Sequence, residues 1–277
     1  VTQANAYATA AGVVTATISD TNIAALDDLT TGSADQLTIT VASTSATASQ
    51  LTTVAGATGL NVTATAVETV TGTATQMDAL LLVEGSTGDK VNLDADYNIT
   101  ISGSNATVTQ ANAYGTATDG VVTATISDQT IAALDDLTTG SADQLTITVA
   151  STSATASQLT TVAGATGLNV TATAVETVTG TATQMDALLL VEGSTGDKVN
   201  LDADYNITIS GSNATVTQAN AYGTATDGVV TATISDQNIA TLDDLTTGSA
   251  DQLTITVATT SVTASALKTV ALSLIHI

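Results

Sequence analysis

The run Val122-Thr123-Ala124-Thr125-Ile126-Ser127-Asp128 occurs three times, at Val14–Asp20, Val122–Asp128 and Val230–Asp236. The copies are part of a longer repeat. Tyr7, Tyr114 and Tyr222 lie 107 and 108 residues apart, and Thr44–Tyr114 is identical to Thr152–Tyr222. The array divides into super-repeats at about 1–107, 108–215 and a truncated 216–271. Such periodicity restricts the chain to architectures in which each unit packs only on its neighbours. Since the first residue, Val1, falls inside a repeat, the reading expects a segment of a longer protein.

Each copy of the run alternates. Val122, Ala124 and Ile126 face one way and Thr123, Thr125 and Ser127 the other, which is the pattern of a half-buried strand. Leu145, Ile147 and Val149 alternate with Thr146 and Thr148 in the same way. Ten such strands are centred near Thr15, Thr38, Thr63, Thr100, Thr123, Thr146, Thr171, Thr208, Thr231 and Thr254. From Thr123 the intervals are 23, 25, 37 and 23 residues. Three of them suit a coil of one strand and one short helix, ~20–29 residues. The fourth carries Glu192–Asp204, also present at Glu84–Asp96, read as a projecting loop with room for a short strand at Val199–Leu201.

Between strands the spacing predicts helices at Ile131–Leu137, Met185–Val191 and Ala219–Tyr222, and one opening at Thr155-Ala-Ser-Gln158 with Leu159 and Val162 on its inner side. Thr155–Gln158, Thr183–Asp186 and Thr215–Gln218 read as capping-box starts, in which a hydroxyl and the side chain three residues on satisfy free N–H groups reciprocally. Helices this short do not persist alone. The predicted fold class is therefore α/β: a right-handed solenoid of ~23–25-residue strand–helix coils, with a parallel sheet on one face and short helices on the other.

Composition narrows the function. Hydrophobic residues make up 43% of the chain, yet Phe, Trp, Pro and Cys are absent and aromatics reach only 2%, so the core must be thin and regular. The formal charge of −23 opposes binding to nucleic acid or an anionic membrane surface. No apolar run approaches the ~18 residues of a membrane span, so direct membrane insertion is not expected. Without Cys there are no disulfides or thiolate sites.

Two sets of residues are candidates for binding. The first is the outward threonine face: Thr15, Thr17, Thr38, Thr40, Thr63, Thr65, Thr123, Thr125, Thr146, Thr148, Thr171, Thr173, Thr231 and Thr233. Stacked Thr-x-Thr resembles the ice-binding face of several β-solenoid antifreeze proteins. Equally, threonine is a good strand former on a solvated face. The second set is Asp197, Asp202 and Asp204 with their counterparts Asp89, Asp94 and Asp96. Oxygen ligands at short spacing suit Ca²⁺, although a solvated acidic loop has the same composition. The pair Asp135-Asp136, near a helix C-terminus, is a weaker cation candidate. Catalysis has little to work with, and no enzyme activity is expected. The lone His276 lies in Leu272–Ile277, which breaks the repeat. That hexapeptide resembles translated sequencing-adapter sequence and is set aside as a non-native tail.

Runs such as TISDQTIAALDDLTTGSADQLTITV (Thr125–Val149) and VTGTATQMDALL (Val178–Leu189) resemble repeats of very large secreted or cell-surface proteins of marine bacteria. The resemblance covers nearly all of Val1–Ala271 and lies in repeat style. It implies an extracellular or cell-surface location and a spacer, stalk or adhesive role. The implied partners are neighbouring repeats of the same chain and surface glycans, other cells or ice. No cofactor beyond Ca²⁺ is implied, and no binding residue carries over.

Overall fold

A computed structural model describes residues 1–9, 12–84, 90–192, 198–258 and 263–272. It forms two compact units, one of Val1–Ser127 with Thr138–Thr146 and one of Asp128–Leu137 with Ile147–Ile277. Short strands and helices alternate through both, and every strand pairing is parallel.

The first unit holds two sheets. One runs in the order Thr15–Thr17, Gln36–Thr40, Val62–Thr63, Val91–Asn92. The other runs Ser45–Thr47, Thr69–Gly72, Asn98–Ile101, Val122–Thr125, Gln144–Thr146. The second unit repeats the longer sheet as Ser153–Thr155, Thr177–Gly180, Asn206–Ile209, Val230–Thr233, Gln252–Thr254 and pairs Val170–Thr171 with Val199–Asn200.

All ten expected strands are present, and their alternation is as read. Val122, Ala124 and Ile126 are buried, and Thr123 and Thr125 are exposed. Two corrections concern register and number. Several coils contribute two strands, not one, because Ser45–Thr47, Thr69–Gly72, Ser153–Thr155 and Thr177–Gly180 form a second run that the single-ladder reading omits. The 37-residue interval joined strands of different sheets. Thr171 pairs with Asn200, whereas Thr208 pairs with Thr179 and Thr231. The short strand expected at Val199–Leu201 is present as Val199–Asn200, with Val199 and Leu201 buried. Residues 85–89 and 193–197 of the projecting loop, which include Asp89 and Asp197, lie outside the described residues, as does the tail beyond Leu272.

The capping boxes at Thr155/Gln158 and Thr215/Gln218 form as expected and open helices Ala156–Gly164 and Val216–Ala225. The third start is two residues earlier than expected. Thr181, not Thr183, caps Ala182–Glu192, with Gln184 N donating to Thr181 Oγ1 at 3.3 Å and Thr181 N to Gln184 Oε1 at 2.9 Å. The helix at Ile131 ends at Leu134, after which a turn carries the buried Leu137.

Helices of 4 to 11 residues need help from outside, and the next coil supplies it. Ser43 Oγ accepts from Ile23 N at 3.0 Å, Ser104 from Ala74 N at 2.9 Å, Ser151 from Ile131 N at 2.9 Å and Ser212 from Ala182 N at 2.8 Å. Each serine satisfies an N-terminal amide that its own helix leaves without an acceptor. Aspartates in the thrice-repeated Gly-Ser-Ala-Asp do the same for strands. Asp35 accepts from Gly32 N at 3.0 Å and Val14 N at 2.7 Å, Asp143 from Val122 N at 2.8 Å and Asp251 from Val230 N at 2.8 Å. Hydrogen bonds from Gly32 and then Val14 hold the Asp35 carboxyl below its ordinary pKa.

Four of the five tyrosines lie in the core. Tyr97, Tyr114, Tyr205 and Tyr222 are fully buried, and each hydroxyl finds an acidic partner. Tyr97 donates to Glu84 Oε2 at 2.9 Å, and Tyr205 donates to Glu192 Oε2 at the same distance. Tyr114 lies 2.9 Å from Asp78 Oδ1 and 3.0 Å from Ala74 O, and Gln110 Nε2 donates to the other Asp78 oxygen at 2.7 Å. Burial pushes all four phenols well above their ordinary pKa. For Tyr97 and Tyr205 the carboxylate charge adds next, and for Tyr114 and Tyr222 the hydrogen bond to Asp78 or Asp186.

Candidate functional site

The threonine face is assembled by register. In the first unit Thr47, Thr71, Thr100 and Thr123 lie side by side on successive strands, and Gln144 ends the rank. In the second unit Thr155, Thr179, Thr208 and Thr231 form the equivalent rank, ended by Gln252. Neighbouring threonine backbones are therefore one strand spacing apart, ~4.8 Å, with the Thr47 and Thr155 hydroxyls engaged by Gln50 and Gln158 in their capping boxes.

Of the expected face residues, Thr17 pairs with Thr38, Thr40 with Thr63, Thr125 with Thr146, Thr148 with Thr171 and Thr233 with Thr254. Thr15 sits opposite Gln36, and Asn92 follows Thr63. Thr65 and Thr173 lie just beyond their strands, exposed at the edge of an open groove. The expected residues thus form short rows on several sheets rather than one continuous ladder. The longest ranks contain Thr47, Thr71, Thr155 and Thr179, which sequence reading missed. Thr47 and Thr155 end their strands as helix N-caps, so the cap signal there masks the strand before it.

The acidic candidates occupy a repeated groove. Asp202 and Asp204 are exposed in the turn between Val199–Asn200 and Asn206–Ile209. Together with Glu176, Asn206 and Thr173 they line a depression of about 420 Å³. Asp94, Asp96, Glu68, Asn98 and Thr65 line its counterpart of about 400 Å³. Part of this oxygen set is already engaged. Asp94 and Asp202 each accept from the next backbone N–H at 2.9 Å. Asn98 Oδ1 and Asn206 Oδ1 accept from Val121 N and Val229 N at 2.9 Å. Among the described residues no three acidic, histidine or cysteine side chains lie close enough together to hold one metal ion. Asp135 caps the C-terminus of Ile131–Leu134, and Asp136 follows it on the surface.

Both grooves therefore present a negative, open trough lined by carboxylates. Among the described residues no helix is long and apolar enough to cross a membrane. Comparison with known proteins gives no matching family model, no matching curated protein and no matching solved structure.

Proposed function

We propose that this chain is a structural or adhesive repeat module, a spacer or stalk, of a very large extracellular surface protein, its coils stacked as a right-handed solenoid. The observation that carries the reading is that coil-to-coil bonds recur at equivalent positions. Ser104 and Ser212, Asp143 and Asp251, and Asn98 and Asn206 each hold the neighbouring coil's backbone at 2.8 to 2.9 Å. A further copy meets the same acceptors, so length grows without a new kind of contact. The strong negative charge keeps neighbouring molecules apart, and the repeat-style resemblance supports a surface location.

The test is to lengthen the chain by one 108-residue copy and measure its largest dimension by small-angle X-ray scattering. Four more coils should add about 19 Å along one axis. Growth in all directions by a smaller amount contradicts the spacer.

A second reading, favoured by the ranks of four threonines, is that the face binds a regular partner such as ice. It predicts ice shaping or thermal hysteresis that disappears when Thr71, Thr100 and Thr123 are replaced by Leu. Unmodified ice growth by the parent chain removes it. A calcium-stabilised form of the same module predicts a melting temperature that rises in millimolar Ca²⁺ and drops back in chelator. Equal melting in both removes that version.

A further inference from the structure

The helix–strand segment at the start of the chain presents an open face that its two copies keep closed. Val1–Tyr7 is identical to Val108–Tyr114 and Val216–Tyr222. Tyr114 and Tyr222 are 0% exposed, whereas Tyr7 is 62% exposed. Val13 is 61% exposed, and Ala16 is half-buried where Ala124 and Ala232 are buried. Beside Tyr7 lies a groove of about 90 Å³, lined among others by Gln3, Ala4, Ala16, Ile18 and Ser19.

What fills this groove in the later copies is explicit. In the first unit, Asp78 and Ala74 receive Tyr114, Asp78 also receives Gln110, and Asn98–Ile101 pairs with Val122–Thr125. In the second unit, Asp186 and Ala182 receive Tyr222, Asp186 also receives Gln218, and Asn206–Ile209 pairs with Val230–Thr233. Thr15–Thr17 pairs on one side with Gln36–Thr40 and ends its sheet on the other. Asp20 meanwhile holds the Val1 ammonium at 2.6 Å, much as Asp236 accepts from the Val216 amide at 2.8 Å.

We infer that the Tyr7 face is a docking surface for one kind of partner: a strand–helix coil of this same repeat, built like Ala182–Ile209. The incoming helix offers a carboxylate and a first-turn backbone carbonyl to the Tyr7 hydroxyl and the Gln3 amide. The incoming strand adds to the free edge of Thr15–Thr17, with its leading asparagine accepting from Val13 N. Strand addition to an exposed edge supplies backbone hydrogen bonds, and the tyrosine fit supplies specificity. The inference rests on the coil stacking used in the spacer reading, and it names the surface that continues the stack.

The experiment places a copy of Asp128–Thr215 directly ahead of Val1, which reproduces the junction before Val216 and turns the Val1 ammonium into an amide. Both proteins are treated with tetranitromethane under native conditions and weighed intact. The chain alone should take up a single nitro group, at Tyr7, and the extended chain none. A nitro group still entering at Tyr7 overturns the proposal. So does modification of the added tyrosine, because the added coil has then not docked. Failure of the spacer reading is separable. Protection of Tyr7 without elongation in scattering sinks the spacer and leaves the docking surface, and elongation with Tyr7 still reactive does the reverse.

Discussion

Tyr7 and Tyr114 close the same seven-residue sequence, and their lower surroundings match. Asn5 Oδ1 accepts from Thr30 N at 2.8 Å, and Asn112 Oδ1 accepts from Thr138 N at 2.8 Å. Above them the two sites differ. Tyr114 meets Asp78 and Ala74 of the preceding coil, and Tyr7 meets solvent. Gly12 and Gly120 show the same contrast. A side-chain carbon on Gly12 would meet nothing within 4 Å, whereas on Gly120 it would sit 2.6 Å from Asp96 O. The sequence of a coil therefore sets what it can bury, and the adjoining coil sets what it does bury. A residue's cost on mutation should depend on its place in the stack even when its local sequence is unchanged.

The largest test of that contrast is truncation of the two tyrosines. Tyr114→Ala should cost about 3–5 kcal/mol, combining lost burial, a cavity and the lost hydrogen bonds to Asp78 and Ala74. Tyr7→Ala should stay within about 0.5 kcal/mol. Urea unfolding followed by circular dichroism reads both, and equal midpoints would break the comparison. Next come the glycines. Gly120→Ala forces its methyl group against the Asp96 and Tyr97 carbonyls and should cost about 1–3 kcal/mol, and Gly12→Ala should be close to neutral.

Alkaline pH sharpens the contrast without mutation. The folded state holds the phenolic protons of Tyr97, Tyr114, Tyr205 and Tyr222 more tightly than the unfolded chain does. Their contribution is complete below the ordinary phenol pKa of 10.0 and falls as pH rises above it. Absorbance of these four phenolates should therefore appear together with loss of helical circular dichroism. Their ionisation while the fold persists would contradict the buried carboxylate pairing. The smallest effect belongs to the outward face. Thr125→Ala should change stability by less than about 0.5 kcal/mol, because its methyl and hydroxyl face solvent.

Much of this was legible in the chain. The alternation at Val122–Ile126 gives strand and facing together, and Thr155/Gln158 announces a helix start. Pairing partners were less legible. Thr123 and Thr146 are equivalent in sequence, but Thr123 sits opposite Gln144 and Thr146 opposite Thr125. Sequence similarity marks like elements, whereas register follows from turn lengths and from polar latches that act across 20 to 30 residues, such as Ser43 to Ile23 and Ser104 to Ala74. Serine and aspartate in a loop look like solvent-facing residues until the next coil's free amide is placed beside them. The acidic groove was half visible. Asp202 and Asp204 were found by proximity, but Glu176 reaches the same trough only through the fold.

The register itself is the central claim, and a pair of engineered cross-links in this cysteine-free chain tests it most directly. Thr171 and Asn200 are paired across adjacent parallel strands, while Thr208 belongs to the other sheet of that unit. Neighbouring strands ~4.8 Å apart fall within the span a disulfide can bridge, with Cα separations of ~4.4–6.8 Å. Under mild oxidation, Thr171→Cys combined with Asn200→Cys should form an intramolecular disulfide in the folded protein. Thr171→Cys combined with Thr208→Cys should stay reduced. The opposite outcome would contradict the stacking described here and restore a single threonine ladder.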